Sequence, residues 1–238
     1  MQALILTGGL GSRLGSMVSE VPKPLLPVGE KPFLEYQILQ LRRHNLTSII
    51  LCLGYLGEKI RQYFGNGDRW GINISYSEEK QALGTGGAIK LAECLVENDH
   101  FLVLNGDSYF NIDFGELVDF HKRQGALATL ALLEIKKPER YGLVEIDNNF
   151  SIVDFKEKGL AAASNLINGG IYIFSRGVFD FIPEGKSSLE KDLFPGLIGK
   201  RFYGKPHTAY FVDIGIPERY REIRREPWRL GPETKGAN

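Results

Sequence analysis

Leu6-Thr7-Gly8-Gly9-Leu10-Gly11-Ser12-Arg13-Leu14, followed shortly by Val21-Pro22-Lys23-Pro24-Leu25, decides how this chain is to be folded. The glycines come directly after the apolar run Ala3–Leu6. In an open α/β sheet, ligands bind outside the carboxyl ends of the strands, so a glycine-rich turn leaving the first strand is where a phosphate chain would lie. Gly8, Gly9 and Gly11 let backbone N–H groups come close to phosphate oxygens and take the positive φ values of an anion nest. Arg13 adds a planar fork suited to phosphate. A tight structural turn would account for the glycines alone equally well.

Lys23 is flanked by Pro22 and Pro24, which hold the backbone extended and allow the ammonium to be aimed at one place. Read singly it is a surface lysine in a proline-rich loop; the glycine loop upstream favours the functional reading. Two other nucleotide motifs are excluded. The dinucleotide fingerprint G-x-G-x-x-G would need glycine at Leu14, and the pattern G-x-x-x-x-G-K-[ST] is absent from the chain.

Outward from this loop, short apolar runs alternate with amphipathic helical stretches, the sign of a parallel sheet flanked by helices. Strands are predicted at Ala3–Leu6, Ser48–Leu53, Ile72–Ser77 and Phe101–Leu104, with helices at Pro32–His44, Gly57–Phe64 and Gly86–Leu95. After a helix at Asp113–Gln124 the pattern changes. Ala126–Ile135, Leu143–Ile146, Ile152–Phe155 and Leu166–Phe174 read as strands with short connections, a mixed or antiparallel extension of the sheet. Helices at Leu189–Ile198 and Pro217–Arg225 close a single domain over residues 1–226, and residues 227–238 form a polar tail expected to be loose.

The 238 residues are 43% hydrophobic, enough for one α/β domain with a sizeable core. Lys plus Arg and Asp plus Glu number 29 each, so no long-range field favours nucleic acid or anionic lipid, and a bound polyanion must be handled locally. No apolar run approaches the roughly 20 residues that span a bilayer, and no signal-peptide pattern precedes Ala3–Leu6, which gives a cytoplasmic expectation. Cys52 and Cys94 have no metal-ligand spacing and read as buried thiols. His44, His100, His121 and His207 share no spacing and read as surface or core positions.

Two further runs end in a carboxylate: Phe101–Leu104 leads into Asn105-Gly106-Asp107, and Tyr210-Phe211-Val212 into Asp213. Brought together at a sheet edge beside a triphosphate, they make a hard oxygen site suited to Mg²⁺, although each Asp alone reads as a turn or helix cap. Leu83-Gly84-Thr85-Gly86-Gly87-Ala88 opens a helix with small residues that permit flat contact with a base or ribose.

The motifs Gly8–Leu14 and Pro22–Leu25 resemble the GGxG[TS]RL and PKP signatures of the sugar-1-phosphate nucleotidyltransferases, and the resemblance runs to about Tyr220. It implies a Rossmann-like mixed sheet with helices on both faces. The implied activity is transfer of a nucleoside monophosphate from a triphosphate to a sugar 1-phosphate, with Mg²⁺ on Asp107 and Asp213. Arg13 and Lys23 take the catalytic charge-neutralising roles, and Leu6, Gly8, Gly9, Gly11, Ser12, Glu79, Gly84, Thr85 and Gly86 the nucleotide. Glu79 matches the acidic position of the purine-using pattern ExxPLGTGG, with Ala82 where proline is usual. Gly142, Glu157, Lys158, Asn168 and Gly169 fall where the family holds the sugar phosphate.

Within the family, the combination of motifs is most like the short branch that couples GTP to D-glycero-D-manno-heptose 1-phosphate. Mannose 1-phosphate or N-acetylmuramate 1-phosphate, with GTP or UTP, are the alternatives, as is a catalytically silent relative that binds nucleotide sugars. No nucleic-acid or membrane partner is expected, and a homodimer is left open.

Overall fold

The computed structural model describes residues 1–135, 142–156 and 165–231. In chain order the first half runs β1 (Ala3–Leu6), a small hairpin β2 (Pro27–Val28) and β3 (Lys31–Pro32), α1 (Phe33–Arg43), β4 (Ser48–Leu53), α2 (Gly57–Phe64), β5 (Asn73–Glu78), α3 (Gly84–Leu91) and β6 (His100–Asn105). The second half continues with β7 (Ser108–Phe110), α4 (Phe114–Arg123), β8 (Ala128–Glu134), β9 (Leu143–Ile146), β10 (Ile152–Lys156), β11 (Leu166–Ser175), α5 (Phe194–Leu197), β12 (Phe202–His207), β13 (Phe211–Asp213) and α6 (Pro217–Arg225).

The main sheet is ordered β10-β9-β11-β6-β1-β4-β5, with β8 on the other edge of β11 and β12 beyond β8. β6, β1, β4 and β5 pair in parallel, whereas β11 meets β6, β8 and β9 antiparallel. This is the mixed sheet expected. Side chains alternate along each strand: Leu4, Ile50, Cys52 and Val103 enter one apolar cluster, and Ala3, Ile5, Ile49, Leu51, Leu102 and Leu104 the other. Leu34, Ile38 and Leu41 of α1, Ile60 of α2 and Leu117 of α4 cover one face, and Ile89 of α3 and Leu197 of α5 cover the opposite one. No described helix is long and apolar enough to cross a membrane.

Local chemistry sets the helix ends. Asp113 caps α4, its Oδ1 accepting from the N–H groups of Gly115 at 2.7 Å and Glu116 at 3.3 Å. α1 is stopped by Asn45 at φ +58°, and the N–H of Leu46 then returns to Leu41 O at 3.0 Å.

Several boundaries differ from the sequence reading. β12, β7, β13 and the β2–β3 hairpin were not foreseen, because short strands containing Gly, Pro or isolated aromatics carry little alternation. The stretch Leu189–Ile198 is not one helix but a wide helical turn, Leu189–Leu193, running into the short α5, because Pro195 supplies no N–H inside it. Cys94 is exposed, since it falls on the 3₁₀ turn Glu93–Leu95 after α3 rather than on the helix's inner face. The expectation of a loose tail is corrected at its first residues. Pro227–Leu230 form a 3₁₀ turn, Leu230 is buried among Tyr220, Ile223 and Val28, and Pro227 packs against Gly29. Residues 232–238 lie outside the described residues.

Candidate active site

A cleft of about 610 Å³ opens at the carboxyl ends of β1 and β6. Its first wall is the glycine loop. Thr7 ties the loop to β4 through its N–H and hydroxyl, both donating to Cys52 O at 3.0 and 2.7 Å. Gly8 then passes back to back with Gly54, where a Cβ on Gly54 would stand 2.8 Å from the Gly8 Cα. Gly11 adopts φ +63°, and the side a Cβ would take is filled by the stem of Lys23 at 3.4 Å. The N–H of Leu14 donates to Gly11 O at 2.8 Å and starts the 3₁₀ segment Ser12–Val18, which buries Leu14 and Val18 and leaves Arg13 exposed in the cleft.

Lys23 is nearly buried, yet it is not on extended backbone as its prolines suggested. Pro22 is extended, and Lys23 opens a 3₁₀ turn, Lys23–Leu25, held by Leu25 N–H to Pro22 O at 2.8 Å. The fixed φ of Pro24 suits the first turn of a helix, where its missing N–H costs nothing. The turn delivers the ammonium to the carboxylate of Asp107, with which it forms an ion pair.

The chain leaving β6 crosses the end of β1 at Gly106, whose N–H donates to Leu6 O at 2.9 Å and where a Cβ would lie 2.5 Å from that oxygen. From α1, Gln37 Nε2 donates to Asn105 O at 2.8 Å and Ser108 O at 2.7 Å, bracketing Asp107 on both sides. The second aspartate arrives through the β7–β13 ladder. Asp213 is in register with Ser108, and Ile214 N–H donates to Asp107 O at 2.9 Å. Asp213 Oδ1 accepts from Gly215 N–H at 2.6 Å, and a Cβ on Gly215 would lie 3.3 Å from Lys23 Nζ. Two carboxylates and one ammonium therefore converge where the glycine loop ends.

On the β5 side, Glu79 turns back so that its Oε2 accepts from Leu83 N–H at 2.9 Å. Burial raises its carboxyl above the usual carboxylate range, and that hydrogen bond works in the opposite direction. α3 begins at Gly84, φ +74°, two residues before the predicted start. Gly84 and Thr85 line the cleft. Gly86 does not: its N–H donates to Ser187 O at 2.9 Å, and a Cβ there would fall 2.7 Å from Ser187 Oγ. In this structure it is a point of close backbone packing.

The far wall is built on β11. A bulge between Asn168 and Tyr172 bends the strand, and Gly169 and Gly170 pass against Phe110 and Ser108 where no Cβ would fit. Asn168 accepts from Gly170 N–H at 3.0 Å and donates to the Tyr172 hydroxyl at 2.9 Å, and its own N–H donates to Gly142 O at 3.1 Å. Tyr172 is fully buried, which pushes its phenol well above the usual range.

Leu6, Gly8, Gly9, Gly11, Ser12, Arg13, Lys23, Glu79, Gly84, Thr85, Asp107, Gly142, Asn168, Gly169 and Asp213 all line this one cleft. Glu157 and Lys158 lie outside the described residues. Asn105, Phe155, Phe211 and the turn residues Ser188, Glu190 and Lys191 also line it and were missed. Asn105 stands in the motif that supplies Asp107; Glu190 and Lys191 fall inside the stretch read as helix, and Ser188 immediately precedes it.

Residues 2–226 match the family model described as nucleotidyl transferase. The chain is 44% identical over 228 residues to the D-glycero-α-D-manno-heptose 1-phosphate guanylyltransferase of Aneurinibacillus thermoaerophilus, covering 95% of this chain and 98% of the relative. It is 40% identical over 221 residues to the enzyme of the same name from Campylobacter jejuni, covering 92% of this chain and 97% of the relative. The structure of HddC from Yersinia pseudotuberculosis complexed with GMP-PN superposes with a TM-score of 0.83 at 33% identity, over 94% of this chain and 98% of that one.

Proposed function

The chain belongs to the nucleotidyl transferase family, and we propose that it transfers GMP from GTP to D-glycero-D-manno-heptose 1-phosphate, giving a GDP-heptose and pyrophosphate. One observation carries the reaction class: Lys23, Asp107 and Asp213 converge at the end of the glycine loop, with Asn168 on the facing wall of the same cleft. The choice of sugar and base is supported by near full-length likeness to two guanylyltransferases named for that heptose.

The nucleophile needs no protein base. A phosphate monoester has a second pKa of about 6, so its oxygen is already anionic at neutral pH. In keeping with this, neither histidine nor cysteine occurs among the described residues that line the cleft. The protein's task is to bring two anions together and let a third depart, by positioning and by charge. In this reading the glycine loop and Arg13 hold the β- and γ-phosphates, and Lys23 faces the α-phosphate. Glu79 accepts from the edge of the guanine, and Asn168 orients the sugar on the opposite side.

Asp107 and Asp213 fit a magnesium ion by their chemistry. They are two hard carboxylates that line one cleft on adjoining segments of the β7–β13 ladder, and Mg²⁺ takes only one or two protein carboxylates, filling its other positions with water and phosphate oxygens. Bound there, the ion would supply positive charge to the phosphates. We place the activity in the cytoplasm, where both substrates would be made.

The test is pyrophosphate release from the purified protein over four nucleoside triphosphates and a panel of heptose, mannose and N-acetylmuramate 1-phosphates. GTP with the heptose phosphate is expected to exceed every other pair by at least about tenfold in kcat/KM, the scale set by one misplaced hydroxyl or base edge. A preference for mannose 1-phosphate or UTP would replace the substrate assignment, and no release with any pair would leave a silent binder.

A further inference from the structure

The turn at Ser188–Lys191 lines the cleft but belongs to neither the glycine loop nor the strand that bears Asn168. It is fastened to α3 in two ways. Ser187 clamps the backbone: its carbonyl accepts from Gly86 and Gly87 N–H at 2.9 and 3.3 Å, and its N–H donates to Leu83 O at 2.8 Å. Thr85 supplies the second fastening through its side chain. Its Oγ1 accepts from Leu189 N–H at 2.8 Å and lies 3.5 Å from Glu190 Oε2, an oxygen that also accepts from Ser188 Oγ at 3.0 Å. Leu189 opens a helical turn, so its N–H has no partner within that turn, and the Thr85 hydroxyl caps it from another element.

The turn belongs to the half of the cleft that contains Asn168. Phe194, just after it, packs on Phe155 of β10 at 5.2 Å and on Tyr172 of β11 at 5.5 Å between ring centroids. Tyr172 is the residue whose hydroxyl takes the Asn168 amide, and the negative charge of Glu190 acts on its phenol.

We propose that Thr85, although it lies in the glycine-rich segment expected to face the nucleoside, is a positioning residue for the sugar 1-phosphate: its hydroxyl sets the Ser188–Lys191 turn against the wall that carries Asn168. This rests on the transferase reading above. The hydroxyl is committed to the turn, and Thr85 offers the nucleotide its backbone alone.

The experiment compares Thr85→Val, which keeps the shape and removes the hydroxyl, with Thr85→Ser, which restores it. In Thr85→Val the KM for the sugar 1-phosphate is expected to rise on the order of tenfold, the effect of leaving one buried donor unpaired. The Kd of GTP, measured by calorimetry without sugar phosphate, is expected to stay within about twofold, and hydrogen exchange at the Leu189 amide to quicken. Thr85→Ser should return all three to wild-type values. Weakening of GTP binding equal to the rise in KM, an unchanged KM, or an unchanged Leu189 amide would each overturn the proposal. A wild-type protein that releases no pyrophosphate while the Leu189 amide still responds would overturn the transferase reading and, with it, the substrate named here, while the anchoring of the turn by Thr85 would stand.

Discussion

Lys23 and Asp107, 84 residues apart in sequence, form an ion pair at the junction of the glycine loop with the β7–β13 ladder. The lysine side chain is 9% exposed and the aspartate 36%, so the pair has one partner shielded and the other open to the cleft. On the transferase reading proposed above, such an arrangement holds a cation where phosphate charge would have to be met.

Lys23→Met is therefore expected to cut turnover by about a hundredfold or more, the cost of removing one preorganised charge from a transition state. The melting temperature should move little, because a pair with one solvent-facing partner contributes about 1 kcal/mol or less. Lys23→Arg should be nearly as impaired, since a planar guanidinium cannot take the place of a compact ammonium set between Asp107 and Gly215 on a stem packed against Gly11. Steady-state rates beside thermal melts decide it, and near-wild-type turnover in Lys23→Met would remove the residue from the mechanism.

Asp213→Asn is expected to raise the Mg²⁺ concentration needed for half-maximal rate by about tenfold or more, because an amide oxygen replaces one of two carboxylates. Removal of divalent ions with a chelator should stop the wild-type reaction, and added Mg²⁺ should restore it. A chelator-resistant rate would exclude the metal role of both aspartates.

Gly87→Ala tests the α3 clamp. A Cβ at Gly87 would lie 2.3 Å from the Gly185 carbonyl oxygen and 2.9 Å from the Leu83 Cβ, both on backbone or short side chains that cannot swing aside. Overpacking of this kind costs about 1–3 kcal/mol. Urea denaturation should show the midpoint falling with little change in slope; an unchanged midpoint would mean that the 185–187 segment shifts freely.

His121 provides a pH prediction. It is fully buried between Thr129 Oγ1 at 2.9 Å, Ser175 Oγ at 3.1 Å and His100 Nδ1 at 3.3 Å. Burial, then the neighbouring His100 and Lys122, lower its pKa from 6.5 to about 3. Between those values the unfolded chain binds a proton that the folded one refuses. Stability is thus fully present above pH 6.5 and is lost as pH falls toward 3, at up to about 1.4 kcal/mol per pH unit for one group. Denaturant midpoints from pH 4 to 7 should fall more steeply with acid in the wild type than in His121→Asn; equal slopes would assign the acid sensitivity elsewhere, the half-buried His207 being the other histidine with a lowered pKa.

The parallel half of the fold could be read in the chain because β1, β4 and β6 are buried on both faces and its helices repeat apolar residues at 3.6-residue spacing. β1, β4 and α2 match the predicted limits. Asp107 and Asp213 could be named singly, each ending an apolar run, but their closeness depends on β7 and β13, three-residue strands with almost no periodic signal. The packing of Gly86 on Ser187 is not legible in the chain for a related reason. A glycine that admits a ligand and one that admits another stretch of backbone look alike in sequence, and the segment that fills the space here, Ser187, comes a hundred residues later. Gln37 shows the same limit from the other side: a glutamine in an amphipathic helix reads as surface, yet this one is 1% exposed and holds the Asp107 loop.

At Gly169–Gly170 the strand β11 exchanges one neighbour for another: Ile171–Ser175 pair with β6 of the parallel half, while Ile167 pairs with β9 of the extension. The sheet thus changes partner at a pair of glycines, while one apolar cluster, with Leu4 and Val103 on one side and Val144 and Ile152 on the other, runs through both parts. On the reading proposed above, triphosphate handling belongs to the parallel part. On the same reading the sugar-facing edge belongs to the other, in which β9 and β10 pair with each other and β9 meets β11. A lineage on this scaffold could therefore take up new sugars while keeping its nucleotide chemistry, and grafting the 142–168 segment from a relative of different sugar preference is the laboratory version of that step.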